Sequence, residues 1–69
     1  MNKRSQNRPL SEQLRKIILD HELSRYAICK AARVDPGQMH RFINGTGRLT
    51  TDSLDRIGNV LGLRFVIDQ

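Results

Sequence analysis

Along this 69-residue chain most apolar positions recur at helical intervals. Leu10, Leu14, Ile17 and Ile18 fall at i, i+4, i+7 and i+8, one buried stripe of a first helix. That helix is predicted to begin after Ser11, a good N-cap, with Glu12 favourably placed in its first turn. Ser24 caps a second helix, "RYAICKAA", whose Ile28, Ala31 and Ala32 can turn inward. Asp35 caps a third, and Pro36 takes its first position, where a missing N–H costs nothing. Gln38 can complete a capping box with Asp35, and Val34 and Met39 stand where a hydrophobic staple is made. Asn44-Gly45 ends this helix, Gly45 suiting the left-handed conformation beyond the last turn. Thr50 or Thr51 caps a fourth, with Leu54, Ile57, Val60 and Leu61 inward and Gly62 as its stop.

The period then changes to two. Leu63, Phe65 and Ile67 alternate with Arg64, Val66 and Asp68, the pattern of a short strand that has no second strand in its own chain. At the other end, residues 1–9 hold Lys3, Arg4 and Arg8 among polar residues and nothing to bury. The expected organisation is a basic arm over 1–9, a helical domain over 10–62 and a C-terminal strand over 63–69. No internal repeat is present. A single domain of this length buries a modest core, so a second subunit supplies useful extra burial.

The third helix is unusual in burying so little. Only Met39, Phe42 and Ile43 share its inner face, while Gly37, Gln38, Arg41 and Asn44 form one outer stripe. Net charge bears on what that face is for. Twelve Lys and Arg against seven Asp and Glu leave +5, a balance that favours a polyanionic partner over an inert surface only about evenly. Two short helices joined by a tight turn, about 24–32 and 36–44, make a helix-turn-helix.

The run "LSRYAICKAARVDPGQMHRFINGTGRLTTDSLDRIGNVLGL" resembles the DNA-binding domain of λ repressor and Cro, the Xre family. The resemblance spans Leu23–Leu63 and rests on order and spacing: a capped helix, a turn, Asn-Gly after the next helix and a closing Leu-Gly-Leu. It implies an all-α, λ-repressor-like bundle of four or five helices, followed here by the short strand. It also implies sequence-specific binding to double-stranded DNA, as a small transcriptional regulator, with the second motif helix in the major groove. Pro36, Gly37, Gln38 and Arg41 then fall at the bases: Arg41 can donate twice to guanine, and Gln38 can pair with adenine. For Gln38, closing the capping box is an equal alternative.

Phosphate contacts are implied at Ser24, Arg25, His40, Asn44, Thr46 and Arg48, the first two at a helix N-terminus that already favours anions. His40 also fits a solvent-facing role and Asn44 a helix-capping one. Relatives usually carry Gly near Arg33; a left-handed backbone there would strain Arg. The basic arm fits either a reach along DNA or a solubilising terminus.

Other classes fit less well. Cys29 sits among small apolar neighbours, where a buried inert thiol is the default, and neither His21 nor His40 has metal-ligand spacing to it. No nucleophile–base pair stands out, so no catalysis, metal or cofactor is expected. One cysteine and no apolar h-region after the cationic N-terminus indicate a cytoplasmic protein, and no apolar run is long enough to span a bilayer. Acidic residues interrupt the basic face of the first helix, which disfavours membrane binding. Tyr26 is the only aromatic expected at the surface, too few for stacking single strands. The expected assembly is a homodimer through Leu63, Phe65 and Ile67. The rival is an antitoxin-like module that binds a toxin or other protein partner as well as its own promoter, with the strand as docking edge.

Overall fold

The stop and cap signals divide the chain into four short helices. A computed structural model describes residues 8–68, in which α1 spans Leu10–Asp20, α2 Arg25–Ala32, α3 Pro36–Ile43 and α4 Thr51–Leu61. The architecture is all-α. Lys3 and Arg4 of the basic arm lie outside the described residues.

Three of the four starts follow the expected chemistry. Ser24 accepts from the Ala27 N–H, Asp35 from that of Gln38, and Thr50, rather than Thr51, from that of Ser53. The first helix differs. It begins one residue before Ser11, and Pro9 precedes it without a side-chain cap. The Pro9 carbonyl accepts from Glu12 and Gln13 at 3.0 and 3.2 Å, and the Gln13 side chain donates to the Arg8 carbonyl, so a serine is not needed.

One core joins all four helices. Leu14 and Ile18 enter it from α1, Ile28, Cys29 and Ala32 from α2, Val34 from the turn, Met39 and Phe42 from α3, and Ile57 from α4. Full burial of each large side chain is worth about 1.5–3 kcal/mol before ordering costs. Val34 and Met39 are both buried, as the staple requires. Ala31, expected inside, is exposed; Cys29 takes the inner position because it shares the face of Ile28 and Ala32. Leu10 leads the α1 stripe yet is 62% exposed, since no neighbouring element covers that end of the helix.

Among the described residues no strand forms. After the Leu63 N–H, residues 64–68 make no backbone hydrogen bonds, because a strand needs a second strand and the described residues offer none. Phe65 is therefore 78% exposed, more than Tyr26, which corrects the expectation of a single surface aromatic.

Three helices end the same way. A left-handed residue follows the last turn, and the next N–H reaches back to a carbonyl five residues earlier. Val34 reaches Cys29 at 2.9 Å, Thr46 reaches Arg41 at 2.9 Å and Leu63 reaches Gly58 at 2.8 Å. The left-handed residue is Gly45 or Gly62 in two cases and Arg33, with φ 55°, in the other. Arg56 of α4 compensates there: its Nε donates to the Ala32 carbonyl at 2.8 Å, and Nη2 lies 3.4 Å from that of Arg33. A side chain in the left-handed region is strained by about 1–2 kcal/mol, partly offset in Gly by the entropy of its unfolded chain. Arg33→Gly is expected to stabilise the fold by about 0.5–1 kcal/mol in urea denaturation. A loss of stability would show that the Arg33 side chain contributes more than its backbone strain.

Candidate nucleic-acid interface

α3 starts tightly. The Asp35 carboxylate accepts from the Gln38 N–H at 2.9 Å, Pro36 fixes the first φ, and Met39 and Phe42 anchor the inner side. Pro36 and Arg41 are exposed, and Gly37 and Gln38 are half-buried. The reciprocal half of the capping box does not form. The Gln38 side chain instead donates to the Arg48 carbonyl at 3.3 Å, because the α3–α4 loop folds back beside it.

Arg41 is held at its backbone and open at its tip. Its carbonyl accepts from the N–H groups of Thr46 and Gly47 at 2.9 and 3.1 Å and from the Thr46 hydroxyl at 3.3 Å. Its side chain runs toward the helix N-terminus, as helical side chains do. A side-chain carbon at Gly37 would lie 3.4 Å from Arg41 Nη1, so the guanidinium occupies room that glycine leaves. Among the described residues the one ion pair is Lys16–Asp20, and Arg25, Arg41 and Arg48 have no acidic partner.

The remaining candidates are all exposed, with differing hydrogen-bond capacity. Ser24 accepts through its oxygen, which leaves its proton for an outside acceptor. Thr46 already spends its proton on the Arg41 carbonyl. His40 Nε2 and Asn44 Nδ2 pair at 2.9 Å, one turn apart on the outer face of α3. The expected sites are thus linked in two local groups: Gln38, Arg41, Thr46 and Arg48 through the loop, and His40 with Asn44. Leu63, Phe65 and Ile67 form a separate feature, the last two largely bare at 78% and 81% exposure.

Arg15 escaped the sequence reading. From α1 its Nε donates to the Phe42 carbonyl at 2.7 Å, and its guanidinium lies 4.7 Å above the Phe42 ring. It places a cation at the negative end of α3 and covers the residue that anchors that helix. Its position next to Leu14, at the edge of the apolar stripe, was the available signal.

Cys29 is a buried residue of α2. Burial raises its thiol pKa; Arg25 opposes that shift and Asp35 adds to it, which sets both charges near the buried sulfur. Among the described residues no three His, Cys, Asp or Glu are grouped to hold a metal ion, and no helix is long and apolar enough to cross a membrane.

A family model described as a Cro/C1-type helix-turn-helix DNA-binding domain matches residues 13–66. Comparison with curated proteins and with solved structures finds no match. In the folded protein, Cys29 is expected to react with an aromatic disulfide reagent only as fast as the fold opens, since a protonated, buried thiol is a poor nucleophile. Stopped-flow labelling with and without urea checks this. Native labelling as fast as that of the unfolded chain would place the thiol at the surface.

Proposed function

The chain belongs to the Cro/C1-type helix-turn-helix DNA-binding family, and from that premise we propose that it is a sequence-specific duplex DNA-binding protein, a small transcriptional regulator whose α3 enters the major groove. The observation that carries this reading is the outer face of α3. There Gln38 and Arg41 stand one turn apart, with Arg41 outside any ion pair among the described residues. A guanidinium matches guanine O6 and N7, and a carboxamide matches adenine N6 and N7. Gln38 gives up its bond to Arg48 to do so, a loss of about 1 kcal/mol that the base contact returns. Pro36 and Gly37 form the leading end of the helix, where little side-chain bulk separates backbone from base edges.

Phosphates lie on either side. Ser24 and Arg25 present a hydroxyl proton, free N–H groups and a cation at the start of α2. Arg48 supplies charge from the loop, and His40 with Asn44 presents donors along the flank of α3. Thr46 is the weakest of the set, because its hydroxyl must turn away from Arg41 first. A DNA target fits the expected cytoplasmic location, and no cofactor is required.

Duplex binding is expected to weaken steeply with salt, each phosphate contact adding roughly −0.9 to the slope of log K against log salt. Arg48→Ala should lower affinity for all sequences alike and flatten that slope. Arg41→Ala should instead relax preference at one base pair, at about 1–3 kcal/mol on the best site. Selection from random duplexes followed by salt titration checks all three. Folded protein with no duplex affinity at low salt would defeat the reading.

The tail supports a two-fold dimer. Leu63, Phe65 and Ile67 put apolar surface on a segment that, beyond the Leu63 N–H, has no backbone partner among the described residues, and antiparallel pairing with a second copy satisfies both needs. Such a dimer has to set the two α3 helices about 34–36 Å apart to meet one face of DNA. Sedimentation equilibrium is expected to give a dimer for the full chain and a monomer after truncation at Gly62. A full-length monomer at high micromolar concentration would overturn the dimer and favour the antitoxin-like alternative, in which another protein covers the tail.

A further inference from the structure

The geometry points to Gly47, in the loop behind α3, as a positioning residue that sets how Arg41 meets a base pair; this rests on the reading of α3 as the groove-binding helix. A side-chain carbon on Gly47 would lie 2.6 Å from Arg41 Cβ, 3.4 Å from its carbonyl carbon and 3.6 Å from its Cα. The struck atom is the root of the side chain, not a flexible end. Either the loop or the helix would have to move. The backbone at Gly47 is not left-handed, unlike that at Gly45 and Gly62, so nothing in its conformation calls for glycine. The close approach does.

This contact sits between two hydrogen-bonded links. On one side the Arg41 carbonyl takes the Thr46 and Gly47 N–H groups. On the other the Arg48 carbonyl takes the Gln38 amide. Residues 46–48 are consecutive, so lifting Gly47 off the helix disturbs both links, and the one at the Arg41 carbonyl remains in place when Gln38 turns to a base. Gly37 acts at the other end of the same side chain, leaving the space that Arg41 Nη1 borders. Arg41 is thus bracketed by glycine at its root and its tip. A base-reading side chain needs this, because a displacement of about 1 Å is enough to spoil a two-point hydrogen bond.

The test is selection from random duplexes with the full-length wild type, Gly47→Ala, Gly37→Ala and Gly45→Ala, each with a thermal melt. Gly47→Ala is expected to lose about tenfold of the preference at the Arg41 position. Gly37→Ala brings a methyl 3.0 Å from the Asp35 carboxylate that caps α3 and 3.4 Å from the Arg41 guanidinium, so it should change the Arg41 position with at most a small fall in melting temperature. Gly45→Ala adds strain at φ 80° in open space and should lower the melting temperature with preferences unchanged. Wild-type preferences in folded Gly47→Ala would overturn the inference, as would an equal change in Gly45→Ala. Should Gly47→Ala fail to fold, unchanged preferences in Gly37→Ala overturn it. A wild type that enriches no sequence would instead defeat the DNA reading on which it stands.

Discussion

Helix ends govern this molecule. The two motif helices have eight residues each, and the last four carbonyls of any α-helix lack a partner within it. Half of the acceptors in each motif helix must therefore be satisfied from outside. The protein does this with reversed N–H groups after a left-handed residue, with the Thr46 hydroxyl, and with arginines from the flanking helices. Arg56 of α4 closes α2, and Arg15 of α1 closes α3. The outer pair of helices thereby fixes the inner pair at the ends where these are weakest. Packing of Ile28, Met39, Phe42 and Ile57 supplies the burial, and these bonds supply the orientation.

This division alters how the charge is read. Arg15 and Arg56 are two of the twelve cations counted in the sequence, and both point into the protein's own carbonyls. Lys16 is engaged with Asp20 in an exposed pair that adds little stability. The cations left for an anionic partner are fewer than the composition suggests. Those at Arg25, Arg41 and Arg48 lie close to the motif, so the arrangement of charge says more than its total.

What the sequence revealed depended on range. The caps at Ser24, Asp35 and Thr50 and the stops at Gly45 and Gly62 act over three to five residues, and each was readable from neighbours. The outer stripe of Gln38 and Arg41, half-buried at the first and exposed at the second, follows from helical spacing alone. Arg15 and Arg56 reach carbonyls 27 and 24 residues away, and a place at the edge of an apolar stripe, as for Arg15, does not name the carbonyl that is reached. The same holds for Gln38: its local cap was the obvious partner, but the returning loop offered another carbonyl. The C-terminal alternation was a true feature of the sequence, yet periodicity states only which side chains share a face. It does not provide the second strand that would make the pattern a sheet. Ala31 lies outside because on a helix of small residues the apolar face is poorly marked, whereas the buried thiol expected at Cys29 is part of the core.

Within the Arg41 side chain the atom that lies against Gly47 is Cβ, and the rest of the approach is to the Arg41 backbone. Every residue that a helix interior accepts, apart from glycine, carries that atom in the same place. The support beneath position 41 is therefore indifferent to what is mounted on it. Exchanging Arg41 for Gln, Lys or Ser changes the chemical letter presented while the loop, the helix and their spacing stay as they are. The scaffold separates a fixed frame from a replaceable side chain, so, on the proposed reading of α3, new binding preferences are reachable by single substitutions that leave the fold alone.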